Sequence, residues 1–134
     1  MAKIIDIEGI GEVYANKLKA VGVATTQTLL KRGATAKGRK ELTEKTGISD
    51  KLILEWVNHA DLYRIRGVGS EYSDLLEEAG VDTVRELAQR DSKNLFKKLG
   101  ETNVAKKLVR RLPTQGQVED WVQQAKQLPG VVTY

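Results

Sequence analysis

Apolar residues along this chain recur with the spacing of amphipathic helices. One stripe follows Ser49 and consists of Leu52, Ile53, Trp56, Val57 and Ala60. A second lies between Thr114 and Pro129 and consists of Val118, Trp121, Val122, Ala125 and Leu128. Steps of three and four positions place such residues on one helix face. No segment alternates convincingly like a strand, and VVTY at 131–134 is too short to decide. The pattern predicts an all-α fold.

Glycine and threonine mark where these helices end and begin. Gly22 and Gly80 follow amphipathic segments, at the position where a left-handed residue closes a helix. Thr25 and Thr83 come three residues later and are predicted to cap the next helices.

The chain matches itself when it is shifted by 58 residues. IEGIGEVYANKLKAVGVATTQTLL at 7–30 aligns with IRGVGSEYSDLLEEAGVDTVRELA at 65–88. The shared residues are glycines and core-type positions, whereas the charges differ. EWVNHA at 55–60 pairs in turn with DWVQQA at 120–125. We predict a pseudo-twofold internal repeat, about 1–63 and 64–134, packed as a single compact domain.

The composition argues against a disulfide-bonded, a thiolate-metal or a membrane-spanning protein. The chain has no cysteine, which excludes disulfides and thiolate metal sites. No apolar run approaches the roughly 20 residues that span a bilayer, and the first residues do not resemble a signal peptide. We expect a cytoplasmic protein without a membrane partner. The net charge of +4 comes from 22 basic and 18 acidic residues, so the placement of charge matters more than its sum.

Each copy starts with the pattern apolar-x-Gly-apolar-Gly, as IEGIG at 7–11 and IRGVG at 65–69. This pattern resembles the helix-hairpin-helix motif, in which two glycines allow a tight turn before a helix N-terminus that attracts anions. The resemblance implies sequence-independent DNA binding, sometimes with a monovalent cation on the hairpin carbonyls; we assign no cofactor. By position, the binding backbone groups would be those of Gly9, Ile10, Gly11, Gly67, Val68 and Gly69.

Nearly the whole chain is similar to an uncharacterised prokaryotic family of tandem helix-hairpin-helix proteins. The stretches that carry this similarity include KGRKELTEKTGIS, ADLYRIRGVGSEYSDLLEEAGVDTVRELAQR, KKLVRRLPT and QVEDWVQQAKQLPGVVTY. The family implies the fold and no activity. Glu12 and Glu71 depart from the DNA-binding pattern, because a carboxylate beside a phosphate weakens binding. Alternatively, both acids simply stabilise a helix N-terminus.

Positive charge is concentrated in KRGATAKGRK at 31–40 and KKLVRR at 106–111. If the second segment is helical, its four cations form two pairs, 106/110 and 107/111, each spaced four positions apart, and together they form one face. A phosphate-binding surface is one interpretation; a solvated helix face and a surface for an acidic protein are the others. The candidate residues are Lys37, Arg39, Lys40, Lys106, Lys107, Arg110 and Arg111.

An enzyme is not expected. His59 is the only histidine, and neither a catalytic triad nor a metal-ligand set can be assembled. Trp56 and Trp121 lie in apolar stripes and are predicted core anchors, not base-stacking platforms. The leading hypothesis is binding to a DNA or RNA backbone. The alternative is a protein-interaction adaptor that keeps the scaffold without DNA binding, and the oligomeric state is open.

The two hairpins differ in what precedes them. A full helix at 50–62 comes before the second hairpin, whereas only MAKIID comes before the first. We hypothesise that the last helix, 117–128, packs beside the first hairpin and replaces its missing partner, either within one chain or between chains.

Overall fold

The computed structural model of the chain describes residues 2–134 and is helical. A short 3-10 helix, Ile4–Asp6, precedes eight α-helices in this part of the chain. They are α1 (Gly11–Ala20), α2 (Thr26–Gly33), α3 (Ala36–Thr46), α4 (Asp50–Leu62), α5 (Ser70–Glu78), α6 (Val84–Ala88), α7 (Ser92–Lys106) and α8 (Gln115–Gln127). Extended pairing within residues 2–134 is limited to an isolated bridge between Lys3 and Thr25. The all-α prediction is confirmed.

The predicted helix boundaries are correct where glycine and threonine mark them. Gly22 and Gly80 have φ angles of 87° and 94°, in the left-handed region that favours glycine. The Thr25 hydroxyl accepts a hydrogen bond from Thr28 N at 3.2 Å, and the Thr83 hydroxyl accepts one from Glu86 N at 3.2 Å. Each threonine thereby satisfies a backbone donor that the first helical turn leaves unpaired.

The chain divides into two compact units. The first comprises Met1–Asp61 together with Val131–Tyr134, and the second comprises Leu62–Gly130. The first unit therefore contains α1 to α3 and almost all of α4, and the second contains α5 to α8. The single-domain organisation, with a repeat boundary near residue 63, stays a prediction.

In the first unit, aromatic and aliphatic side chains join α4 to α1 and α2. The rings of Tyr14 and Trp56 have their centroids 5.2 Å apart at an interplanar angle of 54°. On the α2 side, a Cβ atom at Gly33 would overlap Cγ2 of Val57, so only glycine fits there. Trp56 and Val57 are buried, and the core role predicted for Trp56 is correct.

In the second unit, α8 packs on α6 and α7. Trp121 of α8 also stacks on Tyr72 of α5, with centroids 5.2 Å apart at 53°. Gln124 donates to Arg66 O at 3.0 Å and accepts from Arg66 N at 2.8 Å, which ties α8 to the second hairpin, residues 65–69. In the second unit the last helix therefore supports the second hairpin, and the hypothesis that it packs beside the first hairpin, within one chain or between chains, stays a prediction. Only residues 131–134, beyond that helix, belong to the first unit.

Gly100 lies inside α7, and a Cβ atom built on it would meet nothing within 4 Å. Glycine in a helix interior costs about 1 kcal/mol relative to alanine. Gly100→Ala is therefore expected to raise the free energy of unfolding by about 0.5–1 kcal/mol, measured by urea denaturation. Gly33→Ala is the matched control and should destabilise the chain by about 1–3 kcal/mol through its clash with Val57. Equal effects of the two substitutions would contradict this account of α7.

Candidate nucleic-acid interface

Each hairpin uses the N–H group of its middle residue to close its own turn. Ile10 N donates to Ile7 O at 3.2 Å, and Val68 N donates to Ile65 O at 3.1 Å. The side chains of Ile10 and Val68 are buried. Turn closure therefore uses the N–H donors of these two residues, and the prediction that backbone groups of the hairpins bind a phosphate stays a prediction.

The glycines of the two hairpins are not equivalent. Gly9, Gly11 and Gly67 have positive φ angles of 85°, 68° and 96°. Gly69, in contrast, is extended, with φ −111° and ψ −156°, and it is the N-cap of α5. Gly67 is constrained a second time, because a Cβ atom there would lie 3.1 Å from Trp121 Nε1. The chain therefore enters α1 and α5 by different backbone paths.

The second hairpin leaves exposed donors at the start of α5. Gly67 and Gly69 are exposed, and their N–H groups make no hydrogen bond within residues 2–134. The first turn of α5 adds the unpaired N–H groups that every helix N-terminus carries. Glu71 is the acidic residue of that turn and is exposed. A second carboxylate, that of Asp120, is linked to the hairpin because Gln124 Nε2 donates both to it and to Arg66 O.

Three arginines carry the positive charge of this site. Arg66 lies in the hairpin itself and is exposed. The hydroxyl of Tyr72, in the first turn of α5, donates to Arg111 O at 2.9 Å, which holds the exposed Arg110 and Arg111 beside that turn. The structure thus brings two of the predicted cations to the hairpin. Sequence reasoning missed Arg66, although the aligned position in the first copy is Glu8 and the charge reversal is visible in the alignment.

The predicted four-cation helix face at 106–111 is wrong. Helix α7 ends at Lys106, and Lys107 is left-handed with φ 52°. The Asn103 side chain ends the helix: its Oδ1 accepts from Leu108 N at 2.8 Å and Val109 N at 3.0 Å, and its Nδ2 donates to Val109 O. Residues 108–111 are therefore not helical, and the hydrogen bonds to Asn103 fix the backbone at 108 and 109.

Lys106, the last residue of α7, is engaged by an acid. Its ammonium group forms a salt bridge with Glu78 at the end of α5. The hydrogen bond to Glu78, followed by the attraction of that carboxylate, raises the pKa of Lys106 above its ordinary value. Lys106 is therefore less available to a phosphate than Lys107, Arg110 or Arg111.

In the basic segment of the first unit, Lys37 and Lys40 are exposed, but Arg39 is not. Arg39 is 7% exposed, and its Nη1 donates to Gly33 O at 2.9 Å and to Ala34 O at 3.1 Å. Its Nη2 donates to Thr133 O at 2.6 Å. The placement of Arg39 on a phosphate-binding face is therefore wrong, because its guanidinium group closes the corner between α2 and α3.

With this geometry established, comparison with known proteins places the chain in a family. Residues 8–128 match the family model described as Domain of unknown function (DUF4332). The chain belongs to this family. No curated protein and no solved structure matches it. The predicted membership of an uncharacterised family is confirmed, and the finer assignment to helix-hairpin-helix proteins stays a prediction.

Of the remaining chemistry-bearing side chains of this DUF4332 protein, the histidine and the tryptophans are buried, whereas a group of carboxylates is not. His59 is 1% exposed, and Trp121 is buried like Trp56, which confirms that both tryptophans are core residues. The carboxylates of Asp74, Glu77 and Glu78, which are half-buried or exposed, come within 4.8 Å of one another. No helix in residues 2–134 is both long enough and apolar enough to cross a bilayer.

The buried guanidinium group generates a stability prediction for this DUF4332 chain. Arg39→Ala removes the donor that three carbonyl groups share and should lower the free energy of unfolding by about 2–3 kcal/mol. Lys40→Ala removes the neighbouring exposed cation and should change it by less than about 0.5 kcal/mol. Urea denaturation followed by circular dichroism measures both. If the two variants lose the same stability, Arg39 does not hold this corner together.

Proposed function

We propose that this chain is a non-enzymatic, cytoplasmic binding module that binds the backbone of DNA or RNA without reading its sequence. The observation that carries the proposal is the group of exposed arginines at the second hairpin. Arg66 lies within the turn, and Tyr72 holds Arg110 and Arg111 beside the first turn of α5. Guanidinium groups bind phosphate oxygens through paired N–H donors, and such contacts are independent of base sequence.

We propose further that each unit is one copy of a helix-hairpin-helix repeat. Aligned residues in the two units support this. The turn hydrogen bonds of Ile10 and Val68 are 3.2 and 3.1 Å long. The Tyr14–Trp56 and Tyr72–Trp121 ring pairs have the same separation of 5.2 Å and interplanar angles of 54° and 53°.

In this proposal the second hairpin is the main phosphate site. The three arginines beside it have no ion-pair partner among the described residues, and they outnumber the two nearby carboxylates. These are Glu71 and Asp120, whose Oδ2 accepts at 2.8 Å from the same Gln124 amide nitrogen that donates to Arg66 O. The first hairpin has the opposite balance, since the exposed Asp6, Glu8 and Glu12 surround its glycines. Like charge repels phosphate at such distances even through water. The two copies therefore have different roles on one scaffold.

The alternative is a protein-interaction adaptor. Glu12 and Glu71 favour it, because both place a carboxylate in the helix turn that would face a phosphate. An acidic protein partner would also fit the exposed Lys37 and Lys40 of the first unit. The two functions differ in their response to salt and to single-site charge reversal.

Titration of a labelled DNA duplex with the chain tests the leading function. Binding should weaken steeply between about 50 and 200 mM salt, because each phosphate contact releases a counterion. The double variant Arg66→Glu, Arg110→Glu should lower affinity by at least about tenfold. It should also flatten the salt slope by about one unit for each phosphate that the variant no longer binds.

The control variant, Lys37→Glu with Lys40→Glu, carries the same change of charge in the first unit. It should retain most of the affinity and the slope. Equal losses of affinity in the two variants would mean that only net charge matters and would overturn the second-hairpin assignment. Absence of binding to duplex and single strands at low salt would overturn nucleic-acid binding and favour the adaptor.

A further inference from the structure

One face of α7 is exposed, partly apolar and basic. Lys93, Phe96, Lys97, Gly100 and Val104 follow one another at steps of three, one, three and four residues, which places them on one side of the helix. Phe96 is 36% exposed and Val104 is 79% exposed. Leu95, Leu99 and Thr102 point to the buried side of the same helix. We call these five residues, of which Gly100 is half-buried and the other four are exposed, the α7 face.

Gly100 lies between Phe96 and Val104 on this face, one helical turn from each. Its backbone is helical, so no left-handed conformation requires a glycine, and no neighbouring atom would touch a Cβ atom there. The residue therefore lowers helix stability without any packing reason inside the chain. What it provides is a gap between two apolar side chains, where another backbone can approach closely.

The charges on the α7 face are of one sign. Lys93 and Lys97 are exposed and have no ion-pair partner in the described part of the chain, whereas the exposed Glu101 lies at the edge of the face, four residues beyond Lys97. Both lysines therefore remain available to an external carboxylate. Phe96 and Val104 have no group that binds a phosphate, but covering them with another apolar surface is favourable.

We propose that the α7 face binds an acidic amphipathic helix of a partner protein. The apolar stripe of that helix lies over Phe96, Gly100 and Val104, and its flanking carboxylates pair with Lys93 and Lys97. Docking of an amphipathic helix through residues three, four and seven apart is a common mode of peptide recognition. This surface is separate from the second hairpin and does not depend on phosphate binding there.

The test uses the full chain and a fluorescein-labelled peptide about 18 residues long, long enough to populate a helix. Its leucines are spaced three and four apart and flanked by glutamates. A scrambled peptide of the same composition, which lacks an apolar stripe, is the control. We expect the chain to raise the fluorescence anisotropy of the amphipathic peptide at micromolar concentrations, more weakly at high salt, and to bind the scrambled peptide at least about tenfold less tightly.

Two variants locate the binding surface. Gly100→Leu fills the gap without changing charge and favours the helix, so it should raise the melting temperature while weakening peptide binding by about tenfold or more. Gly116→Leu on α8 is the matched control, because a Cβ atom there meets only an ordinary contact at 3.9 Å. It should leave peptide binding unchanged.

The proposal would be overturned if the unsubstituted chain bound neither peptide or bound both equally. It would also be overturned if Gly100→Leu left peptide binding unchanged, or if Gly116→Leu weakened peptide binding as much as Gly100→Leu does. The remaining possibility is that the α7 face binds phosphate, and it is tested by measuring the affinity of Gly100→Leu for a DNA duplex. If that substitution weakens duplex binding as much as peptide binding, the α7 face is a phosphate surface and not a helix-docking surface.

Discussion

The contact between tyrosine and tryptophan rings is the interaction on which each unit depends. In the first unit it fixes α1 against α4, and in the second it fixes α5 against α8. Aromatic side chains bury the largest areas in a small domain and prefer such tilted geometry. Because α1 and α5 begin at the hairpins, these contacts also determine where the hairpin glycines lie. Trp121 also crowds the second hairpin directly, since a Cβ atom at Gly67 would lie 3.1 Å from its indole nitrogen.

The scaffold is thus held by apolar contacts, whereas its surface chemistry is decided by a few charged residues outside the core. Glu8 and Arg66 occupy aligned positions in the two hairpins, so one substitution reverses the charge beside the glycines. Exposed positions tolerate such changes at little cost in stability. Two hairpins that share a turn hydrogen bond therefore differ in the charge beside their glycines.

Much of the fold follows from local sequence signals, and much of the candidate site does not. Gly22, Gly80, Thr25 and Thr83 were assigned correctly because caps depend on residues within one helical turn. The end of α7 was not, since KKLVRR has good helix formers and only the Asn103 side chain ends the helix there. Arg39 was misplaced for a similar reason. One of its acceptors lies 94 positions away, and no local pattern indicates such a contact.

The return of residues 131–134 to the first unit has a consequence for biosynthesis. Thr133 supplies a carbonyl to Arg39 and an N–H group to Ala34, and the ring of Tyr134 lies 5.9 Å from the Arg39 guanidinium carbon. Ribosomes add about 5–20 residues per second, so the first unit waits several seconds, while the whole second unit is synthesised, for its last contacts. Until then a buried cation lacks one of its partners. The order of translation therefore makes the first unit, although it emerges first, the last to be completed.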